Sequence, residues 1–164
     1  DNFGDDADAT PQSTPTIVNY TSVGLPADPE GESDDGMELR AGTGGTFLNG
    51  VVTQFGEKGV DYTAEGALTG PSMDSVAFGA NSTRNVDTDA ETQAFFNGGA
   101  NNEDFGTNVL VTADSEGSAI NVIPNFPSAP TASTPTGDFF EAAPYLGAVR
   151  DDADNWYVGW TFGL

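Results

Sequence analysis

The chain has 164 residues, of which 26 are acidic and four basic, giving a net charge of −22, and it contains no His and no Cys. The length supports one domain with its own core. The charge excludes nucleic acid and anionic membranes as partners, and the missing residue types exclude histidine acid–base chemistry, cysteine nucleophiles, the usual zinc sites and disulfides.

With 21 Gly, 10 Pro and 37% hydrophobic residues, the composition favours a turn-rich all-β fold over a helix bundle. Eleven Phe and two Trp argue against disorder of the whole chain. No run approaches the ~18 apolar residues of a membrane-spanning helix. The chain starts at Asp1 rather than Met, which reads as a processed mature chain or a segment of a longer one; either history suits export.

In chain order, residues 1–13 form an acidic N-terminal segment and residues 14–86 carry short apolar clusters broken by Gly and Pro. "TPTIVNYTSVG" (14–24) is β-branched and alternating, the pattern of a strand. Residues 25–36 are a loop rich in turn formers and carboxylates. An internal repeat aligns Thr16-Ile17-Val18-Asn19 with Thr46-Phe47-Leu48-Asn49, 30 residues on, and more weakly with Ser72-Met73-Asp74-Ser75, a further 26 on. Periods of 20–50 residues with short strands mark a solenoid, because one coil cannot bury its inner face without neighbours. The expectation is a right-handed parallel β-helix. Ile17, Phe47 and Met73 would stack as one inward ladder, and Asn19 and Asn49 would hydrogen-bond along the stack. The alternative is an antiparallel β-sandwich whose strands share these residues.

The period changes over residues 87–126. Thr88 and Glu91 suggest a capping box for one short helix ending at Gly98-Gly99, which would cap the solenoid. Residues 107–114 and 119–126 are further strand candidates. Residues 127–137 are Pro/Ser/Thr-rich and read as an extended crossing segment. The rest, to residue 164, ends in "WYVGWTFGL", where Trp156, Val158, Trp160 and Phe162 alternate onto one face. That pattern predicts an aromatic closing strand that seals the coil stack or docks a neighbouring subunit.

Four stretches carry a family resemblance: Pro15 to Gly24 (P-x-I-x-N-x-T-x-x-G), Arg40 to Phe55 (R-x-G-T-G-G…N-x-V-x-x-x-F), Tyr145 to Ala148 (Y-x-G-A) and Trp156 to Thr161 (W-x-x-G-W-T). Together they resemble a group of exported bacterial surface proteins and lipoproteins with a right-handed parallel β-helix, mostly of unassigned function. The resemblance implies an extracellular or cell-surface location.

Candidate sites are of four kinds. Asp5, Asp6 and Asp8, and likewise Asp151, Asp152 and Asp154, lie in two DDAD runs that could supply the hard oxygen ligands calcium requires, although neither run matches a known calcium loop. Asp35, Glu38 and Asp61 are candidate carboxylate pairs for a polysaccharide-cleaving enzyme, with Arg40, Lys58, Arg84 and Arg150 as the only basic side chains. Asn81 and Asn19 head N-x-S/T sequons, Asn81 being the better candidate for a glycan because Asn19 points along the ladder. An uncovered coil end would present unpaired backbone and an apolar cross-section, and end-to-end stacking would then build a homo-oligomer or filament. The sequence favours a non-catalytic, cofactor-free structural or adhesive surface protein. The alternative is a carbohydrate-binding or polysaccharide-degrading β-helix module, which would expose aromatic side chains that a structural module would bury.

Overall fold

The computed structural model describes residues 6–25, 33–113 and 120–159. Nine short strands wind through three coils. Coil one holds β1 (Thr16–Val18), β2 (Thr21–Val23) and β3 (Met37–Leu39). Coil two holds β4 (Thr46–Leu48), β5 (Val51–Thr53) and β6 (Lys58–Tyr62); coil three holds β7 (Ser72–Asp74), β8 (Ala77–Gly79) and β9 (Arg84–Val86). A helix, α1 (Ala90–Gly98), and the strand β10 (Glu103–Asp104) follow. Equivalent strands pair in parallel into sheets β1-β4-β7, β2-β5-β8-β10 and β3-β6-β9. This is a parallel β-helix, and the antiparallel sandwich is excluded. The sole antiparallel pair among the described residues joins the two-residue strands β11 (Thr112–Ala113) and β12 (Ile120–Asn121), all that forms of the two later strand candidates.

The register reproduces the repeat. Thr16, Ile17 and Val18 pair with Thr46, Phe47 and Leu48, which pair with Ser72, Met73 and Asp74. Phe47 and Met73 are buried inside, while Ile17, with a coil on one side only, is 40% exposed.

Two residues separate the first two strands of each coil, so the chain must turn there at once. One of them takes a left-handed conformation in every coil: Asn19 (φ 52°), Asn49 (55°) and Ser75 (56°), continued by Asn101 (59°). Asn is suited to this corner because its short polar side chain tolerates positive φ and bonds locally. The predicted ladder is present: Asn49 Nδ2 donates to Asn19 Oδ1 over a long 3.5 Å. Asn49 is fully buried, and its stronger bonds go elsewhere. Its Nδ2 donates to Ser133 O (2.9 Å), and its Oδ1 accepts from Ser133 N (2.8 Å). Ser133 Oγ also donates to Asp74 Oδ1 (2.7 Å) and lies 2.8 Å from Ser75 Oγ. The crossing segment is thereby pinned across the corner column.

The interior core contains Met37, Leu39, Phe47, Val52, Val60, Met73, Phe78 and Val86. The alternate residues Val51 and Ala77 face out of the middle sheet, yet both are fully buried, in a second cluster with Leu110, Val111 and Leu146. Residues 105–113 and 120–149 therefore return over the outside of β2-β5-β8. Asn19 Nδ2 donates to Tyr145 O (2.5 Å), Gly147 N donates to Asn49 O (2.9 Å), and Ala148 N donates to Thr21 Oγ1 (3.0 Å).

Helix α1 differs from expectation at its start. Asp89, not Thr88, is the N-cap: Asp89 Oδ1 accepts from the backbone N–H groups of Glu91 and Thr92, both at 2.9 Å. Glu91 makes no capping box because its carboxylate accepts from Ala64 N (2.8 Å). Phe95 packs on Tyr62 and Phe96 on Phe78, with ring centroids 5.1 and 6.0 Å apart, so the helix covers the interior beside the third coil.

The closing strand needs correction. Residues 156–159 form turns, with Trp156 59% and Val158 61% exposed. Trp156 Nε1 donates to Ala148 O (3.1 Å), which ties the indole to the outer segment. Trp160 and Phe162 lie outside the described residues.

If the corner column holds the outer layer, Asn49→Ala will cost about 2 kcal/mol, the scale of removing a buried amide and leaving part-buried backbone groups of Ser133 without their partner. Urea unfolding checks the stability loss, and limited proteolysis checks that residues 127–137 become cleavable well before global unfolding.

Candidate functional site

The densest charge constellation among the described residues lies outside the sheet β3-β6-β9. Strand alternation turns Val60 and Val86 inward and Asp61 outward. The register sets Lys58 beside Arg84. Asp87 follows β9, its N–H bonding Val60 O, and Asp35 precedes β3, its Oδ1 accepting from Lys58 N (3.0 Å).

Lys58 is the hub. Its Nζ hydrogen-bonds Asp61 Oδ2, lies 2.8 Å from Asp87 Oδ2 and 3.9 Å from Asp35 Oδ2. All four side chains are largely buried, 15–23% exposed. Arg84 Nη1 reaches the other oxygen of Asp87 (3.0 Å) and Thr88 Oγ1 (2.8 Å). The hydrogen bonds to Asp61 and then Asp87 raise the Lys58 ammonium well above its ordinary value. The bond from Lys58 holds the Asp87 carboxyl below the usual carboxylate range. Burial pushes the Asp35 carboxyl up, with Lys58 opposing.

This arrangement opposes proton transfer. A base must give up its proton near neutral pH, and Lys58 is stabilised in the protonated form. A general acid must hold a proton there, and Asp87 is stabilised without one. Of the predicted carboxylates, Asp35 and Asp61 meet at Lys58, whereas Glu38 pairs with Arg40 at the surface (2.7 Å).

The same geometry bears on calcium. Asp61, Asp87 and Asp89 bring one carboxylate oxygen each within 4.8 Å of one another. The group does not fit a cation, because the Lys58 ammonium already bonds two of these carboxylates and Asp89 is spent on the helix N-cap. Neither DDAD run gathers three carboxylates among the described residues. Asp6 Oδ1 accepts from Asp8 N (3.1 Å), and Asp8 Oδ1 accepts from Ala67 N (2.6 Å), tying this segment to a neighbouring loop. Asp5 lies outside the described residues. Asp151 closes a turn onto Ala153 N (3.0 Å) and pairs with Arg150 (2.7 Å). Asp154 accepts from Arg150 N (3.0 Å), and Asp152 is exposed.

The preference between the sequons is overturned. Asn81 is 8% exposed, its Oδ1 accepting from Phe55 N (2.9 Å) and its Nδ2 donating to Asn85 Oδ1 (2.9 Å). Asn19 is half-buried, its amide donating to Tyr145 O. Both side chains serve the fold.

Sequence reasoning missed the Lys58 hub, although a signal existed. Lys58 and Arg84, and likewise Asp61 and Asp87, stand one coil period apart. It also missed Ser133, for which the sequence offers no periodic cue.

Asp87, with its lowered folded value, stabilises the protein above the ordinary Asp value of about 3.9, and this is lost as pH falls through the folded one. Lys58, with its raised value, contributes fully below about pH 10.4, and this is lost as pH rises through its folded value. Lys58→Met will therefore cost about 2 kcal/mol at pH 7, less than for a fully buried pair. The gap between variant and wild-type unfolding free energies will begin to shrink as pH drops below about 4 and close as it falls through the lowered folded value of Asp87. A gap constant from pH 7 to 3 would mean that Lys58 acts through its apolar stem alone.

Comparison with known proteins gives one family. The model of the pectate-lyase like beta helix domain matches residues 1–161. Neither the curated proteins nor the solved structures include a match to this chain. The family match spans nearly the whole chain and agrees with the three parallel sheets, so this protein belongs to the pectate-lyase-like β-helix domain family.

Proposed function

We propose that this chain is a non-catalytic structural domain of the extracellular or cell surface, one that associates with copies of itself. The observation that supports the non-catalytic reading is the Lys58 clamp: the best-gathered carboxylates hold a captive ammonium. The family includes enzymes, but fold kinship alone does not supply a reaction. The net charge of −22 also disfavours a polyuronide substrate, which carries the same sign. Among the described residues no helix is long and apolar enough to cross a membrane.

Self-association draws its support from the asymmetry of the solenoid. Among the described residues β1, β2 and β3 are each the outermost strand of their sheet at one end, while at the other α1 covers the interior. Edge strands favour pairing with another chain.

A second reading has its own observation. Trp156 is 59% and Phe139 90% exposed, and exposed aromatic rings are what a carbohydrate-binding module presents. Trp156 is also steadied by its bond to Ala148 O, which leaves its ring outward.

Incubation with polygalacturonate, with and without added calcium, will release no unsaturated uronide product. Product that disappears in Lys58→Met would establish an enzyme and end the structural reading. Affinity electrophoresis through neutral polysaccharides separates the second reading: retardation lost in Trp156→Ala would favour the binding module, and equal mobility with and without polysaccharide supports the structural one.

A further inference from the structure

Ile17, Phe47 and Met73 form one ladder along the solenoid axis, and its two ends differ in shape. At the coil-one end Ile17 stands 40% exposed on an edge strand, where its equivalents Phe47 and Met73 are 7% and 2% exposed. At the other end the ladder terminates in a notch between β7 and α1, lined by Pro71, Ser72, Met73, Ala94, Phe95 and Gly98. Ala94 and Gly98 sit one helical turn apart and are exposed, and a Cβ added at Gly98 would meet no atom within 4 Å. The small residues leave the notch open.

We infer that copies of this chain join head to tail, with Ile17 of one copy seated in the β7–α1 notch of the next. The inference rests on the self-associating reading above. Knob and notch lie on the same ladder, so a translation along the axis brings one onto the other. The residues beside knob and notch are uncharged: those that line the notch, and the sequence from 9 to 27 around Ile17. In a chain of net charge −22, two such faces are where copies can approach with least repulsion. Burying Ile17 also removes from water an apolar side chain that each following coil buries.

The contact is an insertion of side chains rather than a continuation of the sheet. The outer carbonyl of Met73 already accepts from Asn102 Nδ2 (3.2 Å), and the backbone at Gly99 lies so close that a Cβ there would fall 1.6 Å from the same oxygen. β7 therefore has no free partner for a new strand at its centre. Because the two faces differ, the contact is heterologous and repeats into an open chain of molecules.

The test is sedimentation velocity of the full chain over a range of concentrations, in enough salt to screen the surface charge. Wild type is expected to form a ladder of species that grows with concentration. Ile17→Asp and Ala94→Arg, each with a wild-type circular dichroism spectrum, are expected to associate at least tenfold more weakly. Each variant keeps the face the other has lost, so their equimolar mixture is expected to give dimers and nothing larger. Wild type that stays monomeric throughout would overturn both this inference and the self-associating reading. Oligomers that persist in both variants would leave self-association standing and overturn this interface, as would loss only in Trp156→Ala. A mixture that stays monomeric would overturn the head-to-tail arrangement. Should Ile17→Asp fail to fold, Ile17→Ser tests the knob, and Ala94→Arg tests the notch independently.

Discussion

Strands of three residues cannot hold themselves in place, and what fixes them here is the corner that follows the first strand of each coil. Asn19, Asn49 and Ser75 all adopt the left-handed conformation at this corner. A single residue turned this way redirects the chain without a loop, so β1 and β2, β4 and β5, and β7 and β8 each follow at the same angle. Identical corners leave identical coils, and identical coils pair in register across all three sheets. The left-handed conformation costs an L-residue roughly 1–2 kcal/mol. Asn49 offsets this with side-chain bonds to Asn19 in the preceding coil and outward to Ser133, neither of which exists in a lone coil.

The corner also determines where the remainder of the chain can lie. The outward bonds of Asn49 seize Ser133, and Asn19 and Thr21 bind residues 145–148. At these anchors Leu146 is buried on the side of the middle sheet where Val51 and Ala77 face out. That sheet is covered on both faces, as parallel sheets generally are. In many α/β proteins helices supply such a cover; here it is irregular chain rich in Pro, Ser and Ala, held by backbone bonds to the corner. The described residues from 120 to 149 thus form an outer layer on the solenoid and do not extend it.

Which features were legible in the sequence follows from this division. Inside the coils one residue type recurs at one structural position, so Thr16, Thr46 and Ser72, or Ile17, Phe47 and Met73, could be aligned by eye and paired as expected. Outside the coils the pattern carries no such constraint. "WYVGW" alternates like a strand, yet Trp156 to Gly159 form turns, because alternation records only which side chains are apolar and not whether a neighbouring strand is present. Thr88-x-x-Glu91 reads as a capping box, but Asp89 is one residue closer and Glu91 is drawn to Ala64, a contact visible only once coil two is in place. Asn81 looked free as a sequon and is buried because the turn after β8 folds it back onto Asn85 and Phe55. The Lys58 hub falls between these cases. Its charges repeat with the coil, but opposite signs at neighbouring positions read as ordinary surface until the register stacks them.

The hub shows how so acidic a chain tolerates stacking. Coils repeat every 26 residues or so, and a carboxylate that faces out in one coil therefore meets its counterpart in the next. Asp61 and Asp87 are such a pair, and like charges at adjacent sheet positions repel. A divalent ion could relieve the repulsion but would make the fold depend on the supply of that ion. Lys58 does the same from within the chain: its ammonium bonds both carboxylates and draws in Asp35 from the first coil, while Arg84 takes the remaining oxygen of Asp87. One lysine thus joins all three coils by charge where Asn49 joins them by hydrogen bonds. The same arrangement commits the Lys58 ammonium to two carboxylates, so the interaction that permits the acidic coils to stack also holds that amine in its charged form.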